Sequence, residues 1–365
     1  MSSLWNNGIS ISIFGESHGK AIGVVIDNLP SGETIDNDKL LRFMSRRAPK
    51  NDVTSTPRKE KDIPIILSGL KDGKTTGAPL AAMIENSDTH SSDYSEMSQK
   101  ARPGHADYTG FLRYNGFNDV RGSGHFSGRL TAPLTFAGAV AAQILERRSI
   151  YTAGHIFAIQ NISDTPFDTV HFSKEDALLL HNRDFPTIDP KAELMMKSAI
   201  DAARMNCDSV GGIIELCAVG FPAGIGSPMF DGLENAISSI MFGIPAVKGI
   251  SFGAGFDVCN LYGSQNNDAF YIDKNGEIKT RTNNHGGILG GISSGMPISM
   301  KIAMKPTPSI SQTQDTVDFL EHQNTTISVR GRHDPCVVPR AVPVAEAALN
   351  IALLGQLLKA GIKIE

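Results

Sequence analysis

Five of the ten histidines in this chain fall inside short segments rich in Gly, Arg, Asn or Asp: FGESHG (14–19), ARPGHAD (101–107), RGSGHFSGR (121–129), TNNHGG (282–287) and RGRHDPC (330–336). A histidine standing alone is more often a satisfied core or surface residue than a catalyst. This set differs in its surroundings. Imidazole exchanges protons near neutral pH, glycine lets a ligand approach backbone N–H groups, and the arginine fork matches phosphate and carboxylate. Together these types describe an anion pocket with proton carriers inside it. Its candidates are His18, His105, His125, His285 and His333, with Arg102, Arg129 and Arg332 beside glycine or histidine in loop-like sequence. Arg46 and Arg47 instead end the helix-like segment DNDKLLRFMSRRAP, where a cation complements the helix dipole. That explanation suffices for Arg46.

Other chemistries fit less well. No HExxH or paired HxH spacing is present, and Arg102, Arg121, Arg129 and Arg332 oppose a cation site, so no metal ligands are assigned. SGLKDGKTTG (68–77) resembles a phosphate loop, but three residues separate the glycines of GLKDGKT where GxxxxGK[ST] has four, and KDG reads as a turn. No GxGxxG dinucleotide fingerprint occurs. TNNHGGILGGISSGMP (282–297), followed by MKPTPS (304–309), reads equally as hairpin punctuation or as a ligand-facing surface.

The elements that must position these residues are mixed. Strand-like runs lie at 9–14, 21–27, 63–67, 211–220, 250–256 and 297–304, and helical periodicity at 36–47, 131–148, 191–206, 231–242 and 340–359. Grouped strands with single helices predict layered α and β structure without a doubly wound parallel sheet. The two halves look loosely alike. The polar stretches 87–107 and 263–287 are long for loops and are expected to act as lids. With 41% hydrophobic residues the chain can bury a substantial core, and a net charge of -4 argues against a surface devoted to nucleic acid or anionic membrane. The apolar run at 131–145 is too short and too broken to span a bilayer and is expected as a buried helix. Cys207, Cys217, Cys259 and Cys336 form no CxxC pair and are each expected as small buried hydrophobes. With no signal-like N-terminus, they point to a cytoplasmic protein.

Taken in order, FGESHG, RPGHAD, NNHGGILGGISSG, MKP and GRHDP resemble the chorismate synthase family over nearly the whole chain, with KTTGAPL (74–80), GSQN (263–266) and RAVPVAEA (340–347) extending the match. The resemblance implies an α+β fold: a β-α-β sandwich of two similar halves with helices packed between antiparallel sheets, forming one domain over residues 1–365 and assembling as a homotetramer. It implies anti-1,4-elimination of phosphate from 5-enolpyruvylshikimate 3-phosphate to give chorismate, with reduced FMN required but no net redox change. NADPH enters only where a member of the family reduces its own flavin.

By the same resemblance, His18 protonates the departing phosphate with Ser17 beside it, His105 lies near the flavin, and Asp334 helps the flavin accept the substrate proton. Arg47, Arg102, Arg129 and Arg332 hold phosphate and carboxylates. Flavin-binding positions are His125, Phe126, Ser127, Ala246, Gly290, Lys305, Pro306, Thr307, Pro308, Ser309 and Arg332. The chain departs from the family pattern at 124–131, where GHFSGRLT stands for a GRSSARET-like segment, and at 242–249, where Pro245 replaces an Asn. Val53 stands where many members carry a further arginine, and Arg58 is the substitute. Two other readings stay open: a flavin- and phosphate-binding homologue without turnover, suggested by 124–131, and a P-loop-like phosphotransferase, which the GLKDGKT spacing opposes.

Overall fold

The computed structural model describes residues 3–49, 62–87, 96–329 and 333–361. Ten strands form two five-stranded antiparallel sheets. The first contains β1 (Leu4–Asn7), β2 (Ile9–Gly15), β3 (Ala21–Asp27), β4 (Ile65–Ser68) and β5 (Leu80–Glu85), in the order β1-β2-β3-β5-β4. The second contains β6 (Tyr151–Ile159), β7 (Ile162–Ser163), β8 (Gly212–Val219), β9 (Val247–Phe252) and β10 (Ile298–Met304), in the order β9-β10-β8-β6-β7. In β5, Leu80, Ala82 and Ile84 are buried while their neighbours are less so, the two-residue period of a strand with one face on the core.

The helices are α1 (Asn37–Arg47), α2 (Asp107–Tyr114), α3 (Thr131–Glu146), α4 (Lys174–His181), α5 (Pro190–Met205), α6 (Leu233–Met241), α7 (Gly263–Asn266) and α8 (Val338–Lys359). Between the sheets, α3 and α8 pack on each other, α3 leaning on β3 and β5 and α8 on β6 and β8. Their crossing explains the small residues of α3: a Cβ on Gly138 would sit 2.1 Å from Ala347 Cβ. Although α8 is long and apolar enough to cross a membrane, 94% of its most apolar window is buried inside the fold. Its polar residues are bonded to other elements: Asn350 Oδ1 accepts from Thr152 Oγ1 at 2.9 Å, and Gln356 Nε2 donates to Asn7 Oδ1 at 2.9 Å.

The five expected helices and most of the expected strands match within a few residues. Unexpected elements are β1, β5, β6, β7, α2, α4 and α7. Glycine and histidine in the middle of YTAGHIFAI weaken the strand signal of β6, and only tertiary partners bury His155 there. KDG forms a turn, as expected: Leu70–Lys71 pairs with Lys74–Thr75, and Asp72 and Gly73 both have positive φ. The 263–287 stretch is not an open loop. It holds α7 and a hairpin, Phe270–Ile272 paired with Ile278–Thr280, and is tied down by Asp268, which accepts from Thr282 Oγ1, two backbone N–H groups and the His285 ring. Within 87–107, residues 88–95 lie outside the described residues, and Lys100 bridges to Asp318. Cys217 and Cys336 are buried as expected, but Cys207 and Cys259 are exposed. Each of those two sits in a surface connection, Cys207 after α5 and Cys259 in the 255–260 turn, none of whose residues is buried.

Candidate active site

A cavity of about 250 Å³ opens between the 102–131 region, the 244–246 turn, the 304–309 segment and the start of α8. One wall is built around Asp107, the first residue of α2. Its carboxylate accepts from the Arg102 backbone N–H at 3.0 Å, from Arg102 Nε at 2.7 Å and from Arg102 Nη2 at 2.7 Å. This closes the ARPGH turn. His105 Nδ1 lies 2.7 Å from Asp107 Oδ1, so the ionised carboxylate selects the tautomer with its proton on Nδ1. Arg102 reaches onward to Ser309 Oγ and Ser123 Oγ, both at 3.0 Å. Burial, together with the charges of Arg102 and Lys305, holds the His105 pKa below its ordinary value against the pull of Asp107. Asp107, in spite of its burial, stays far below the carboxylate range because of Arg102 and His105.

A second wall is cationic. Arg47, the last residue of α1, and Arg129 are both buried, and both pair with the buried carboxylate of Asp62. Arg47 Nε also donates to Thr131 Oγ1 at 3.0 Å and Nη2 to Gly128 O at 3.1 Å. Arg129 Nε donates to Asn86 Oδ1 at 3.1 Å. Burial lowers the Arg47 pKa to about 10, with Arg340 and Arg129 adding to the effect and Asp62 opposing it. The group remains a cation at neutral pH.

Ser17 and His18 stand at the edge formed by 122–125. The two segments are zipped: Ser17 N–H donates to Gly124 O at 3.1 Å, and His125 Nδ1 lies 2.8 Å from Gly15 O. Gly122, at φ +58, allows the approach, because a Cβ there would fall 2.3 Å from the His18 ring and 2.8 Å from Ser17 Oγ. Ser123 also has positive φ, a strained state for a residue with a side chain, and Arg102 grips its hydroxyl. His125 does not line the cavity. Its other ring nitrogen meets Ser3 Oγ at 2.6 Å, so it fastens the GESHG turn. Phe126 does line the cavity, packed edge-on against Tyr114 of α2.

The far wall holds Ala246, Pro245, Lys305, Thr307, Pro308 and Ser309. Lys305 Nζ donates to Gly104 O, joining this wall to the His105 turn, and burial lowers its pKa. Pro306 lies behind the wall, against Gly211, and Gly290 is in the turn between Ile288–Leu289 and Ile292–Ser293, away from the cavity lining. His285 is likewise held elsewhere, by Asp268. Asp334 lines the cavity beside His333, and its Oδ2 accepts from Arg340 Nη1 at 2.7 Å. Arg340 Nε in turn donates to Arg47 O at 3.1 Å. Arg332, Arg58 and Val53 lie outside the described residues.

Sequence reasoning did not single out Asp62, Asp107 or Arg340. Asp107 stands at the end of ARPGHAD, two residues after His105, and Arg340 at the start of RAVPVAEA, six residues after Asp334. Asp62 carries no motif signal.

Two antiparallel sheets around paired helices, with a cavity that gathers Arg47, Arg102, Arg129, His105 and Asp334, define an α+β enzyme whose site suits a small polyanion and proton transfer. The family model of chorismate synthase matches residues 9–358. Chorismate synthase of Methanothermobacter thermautotrophicus is 43% identical over 351 residues, covering 96% of this chain and 92% of its own. That of Pyrococcus abyssi is 45% identical over 350 residues, covering 96% of each. A crystal structure of chorismate synthase superposes with a TM-score of 0.76 at 26% identity, covering 96% of this chain and 92% of that one. The chain belongs to the chorismate synthase family, the carbon–oxygen lyases of the shikimate pathway.

Proposed function

We propose that this protein eliminates phosphate from 5-enolpyruvylshikimate 3-phosphate in the anti-1,4 sense, giving chorismate, and that it needs reduced FMN without net redox change. The observation that carries the reading is the meeting, in one cavity, of three arginines, a histidine held neutral and a carboxylate, with Ser17 and His18 at its edge. The leaving group is an anion. Arg47, Arg102 and Arg129 supply preorganised positive charge where that anion develops, and His18 donates the proton that the departing phosphate takes. Ser17 Oγ, buried and without a hydrogen-bond partner among the described residues, is available to the same oxygen atoms.

His105, its Nδ1 engaged by Asp107, has Nε2 left to hold or release a proton. Asp334, oriented by Arg340, takes part in removing the substrate proton. The far wall fits a flavin: Thr307 Oγ1 is buried without a partner among the described residues, an unmet polar group that the cofactor's polar edge would satisfy. Phe126, Ser127, Ala246, Lys305, Pro308 and Ser309 would hold it, and the family resemblance assigns Arg332, outside the described residues, to the same role. Reduced FMN held by these residues would supply transient electron donation with no net redox change. The departures at 124–131 are compatible with turnover, since His125 braces the GESHG turn and Phe126 packs on α2.

The same reading makes residues 1–365 one cytoplasmic domain of two halves related by an approximate twofold, assembled as a homotetramer. Exposed Phe230, Phe256, Tyr262 and Ile272 are apolar side chains that association of copies would cover. The test of the function is anaerobic: purified protein, photoreduced FMN and 5-enolpyruvylshikimate 3-phosphate, following chorismate absorbance and phosphate release together. Equal amounts of chorismate and phosphate are expected. No product, with both ligands shown to bind, would replace this reading with that of a binding protein.

A further inference from the structure

The pair formed by Arg47 and Arg129 depends on a residue that does not itself face the ligand. Asp62 has a fully buried side chain and gives one carboxylate oxygen to each guanidinium. Arg47 and Arg129 line the cavity, whereas Asp62 does not, so the carboxylate sits behind the pair instead of plugging its open side. The two guanidinia come from separate elements, the end of α1 and the turn before α3, and their other anchors are separate too: Thr131 and Gly128 for Arg47, Asn86 for Arg129. Two buried cations side by side repel each other, and each must also bear the cost of leaving water. One shared carboxylate addresses both problems. It halves the net charge of the cluster and sets the spacing of the two forks.

Resting on the proposed function above, we infer that Asp62 is a positioning residue: it fixes Arg47 and Arg129 at the separation and orientation in which they take one phosphate or carboxylate group of the substrate as a preformed double fork. Substrate then meets donors already in place. The ordering of two long side chains is met during folding, not during binding.

The test compares Asp62→Asn and Asp62→Glu with the wild type. Inorganic phosphate binding is read by calorimetry without flavin, FMN affinity by fluorescence, and KM and kcat by the anaerobic assay. For Asp62→Asn the expected result is phosphate affinity lowered and KM raised by about tenfold, kcat within about threefold, and FMN affinity unchanged. Asp62→Glu keeps the charge but moves it by one methylene, and its KM should lie between the two. Should the Asn protein fail to fold, the Glu variant decides alone, and a wild-type KM in it overturns the inference. So does wild-type phosphate binding in Asp62→Asn, or a loss confined to kcat. Tighter phosphate binding in Asp62→Asn also overturns it, since Asp62 would then be competing for the fork. A wild type that binds phosphate but makes no chorismate would sink the proposed function and leave the calorimetric comparison valid.

Discussion

His105 and His155 each give Nδ1 to an aspartate, Asp107 at 2.7 Å and Asp164 at 2.9 Å, but the second ring nitrogen meets opposite surroundings. At His155, in the middle of β6, Nε2 lies 2.8 Å from Glu215 Oε2, and the ring is fully buried between two carboxylates. Burial alone would lower its pKa, but Asp164 and Glu215 raise it above the ordinary value. At His105 the further neighbours are Arg102 and Lys305, and the pKa is lowered. The carboxylates favour the charged form of the first imidazole, a buried strut, and burial with nearby cations favours the neutral form of the second, at the rim of a cavity. Arg46 and Arg47 repeat the lesson on consecutive residues. Helical geometry turns Arg46 toward Glu346 of α8, whose carboxylate it grips through Nη2 at 2.8 Å, and turns Arg47 toward the cavity. Pairing with a buried carboxylate is common to all four. What separates His105 and Arg47 from the other two is that both line the cavity.

The sharpest way to break this contrast is to remove the cavity-side histidines. His18→Ala and His105→Ala should each lose turnover by about 10²–10⁴-fold while retaining FMN binding; wild-type rates in either would refute that residue's role. His155→Gln should do the reverse. Taking the shared imidazole from two buried carboxylates should cost about 3–5 kcal/mol in denaturant unfolding, while kcat per folded molecule stays within about threefold. A large loss of kcat there would erase the distinction between strut and site.

A milder probe is Gly122→Ala, which places a methyl group against the His18 ring and demands a left-handed alanine. Turnover should fall by about tenfold with FMN affinity kept, as expected for a displaced catalytic group. Unchanged kinetics would mean that His18 need not sit where it does. The smallest effect is in the pH dependence of stability. Because the folded pKa of His155 is raised, the stabilisation it gives is complete below about pH 6.5 and is lost as pH rises through the raised value. His105 has a lowered folded pKa, so its contribution improves as pH rises toward about 6.5. Stability from acid to mildly alkaline pH should therefore lose its falling limb in His155→Gln, a slope of about 1.4 kcal/mol per pH unit at most, and keep it in His105→Ala.

Much of this was legible beforehand. Periodicity located α1, α3, α5, α6 and α8, since a buried helical stripe repeats whatever its partner is. The glycine, arginine and histidine clusters pointed to an anion pocket, and His105, Arg102, Arg129, Asp334 and the 305–309 run do meet around one cavity, save Pro306 just behind it. The departures were harder to read. Position 125 was expected at the flavin, and its ring instead ties β2 to the 122–125 turn, because contacts with Gly15 and Ser3 are 110 and 122 residues away in sequence.

Local pattern and residue type carry the class of elements, the family and the chemical kinds of group available. Which charges line the cavity and which seal the core follows from contacts made across the fold. Arg46 and Arg47 are adjacent in sequence, and so are the arguments for them, until α8 supplies Glu346 to one and the fold brings Asp62 and Arg129 to the other. A side chain's charge state and freedom follow from burial and from partners distant in sequence, and no local pattern encodes those.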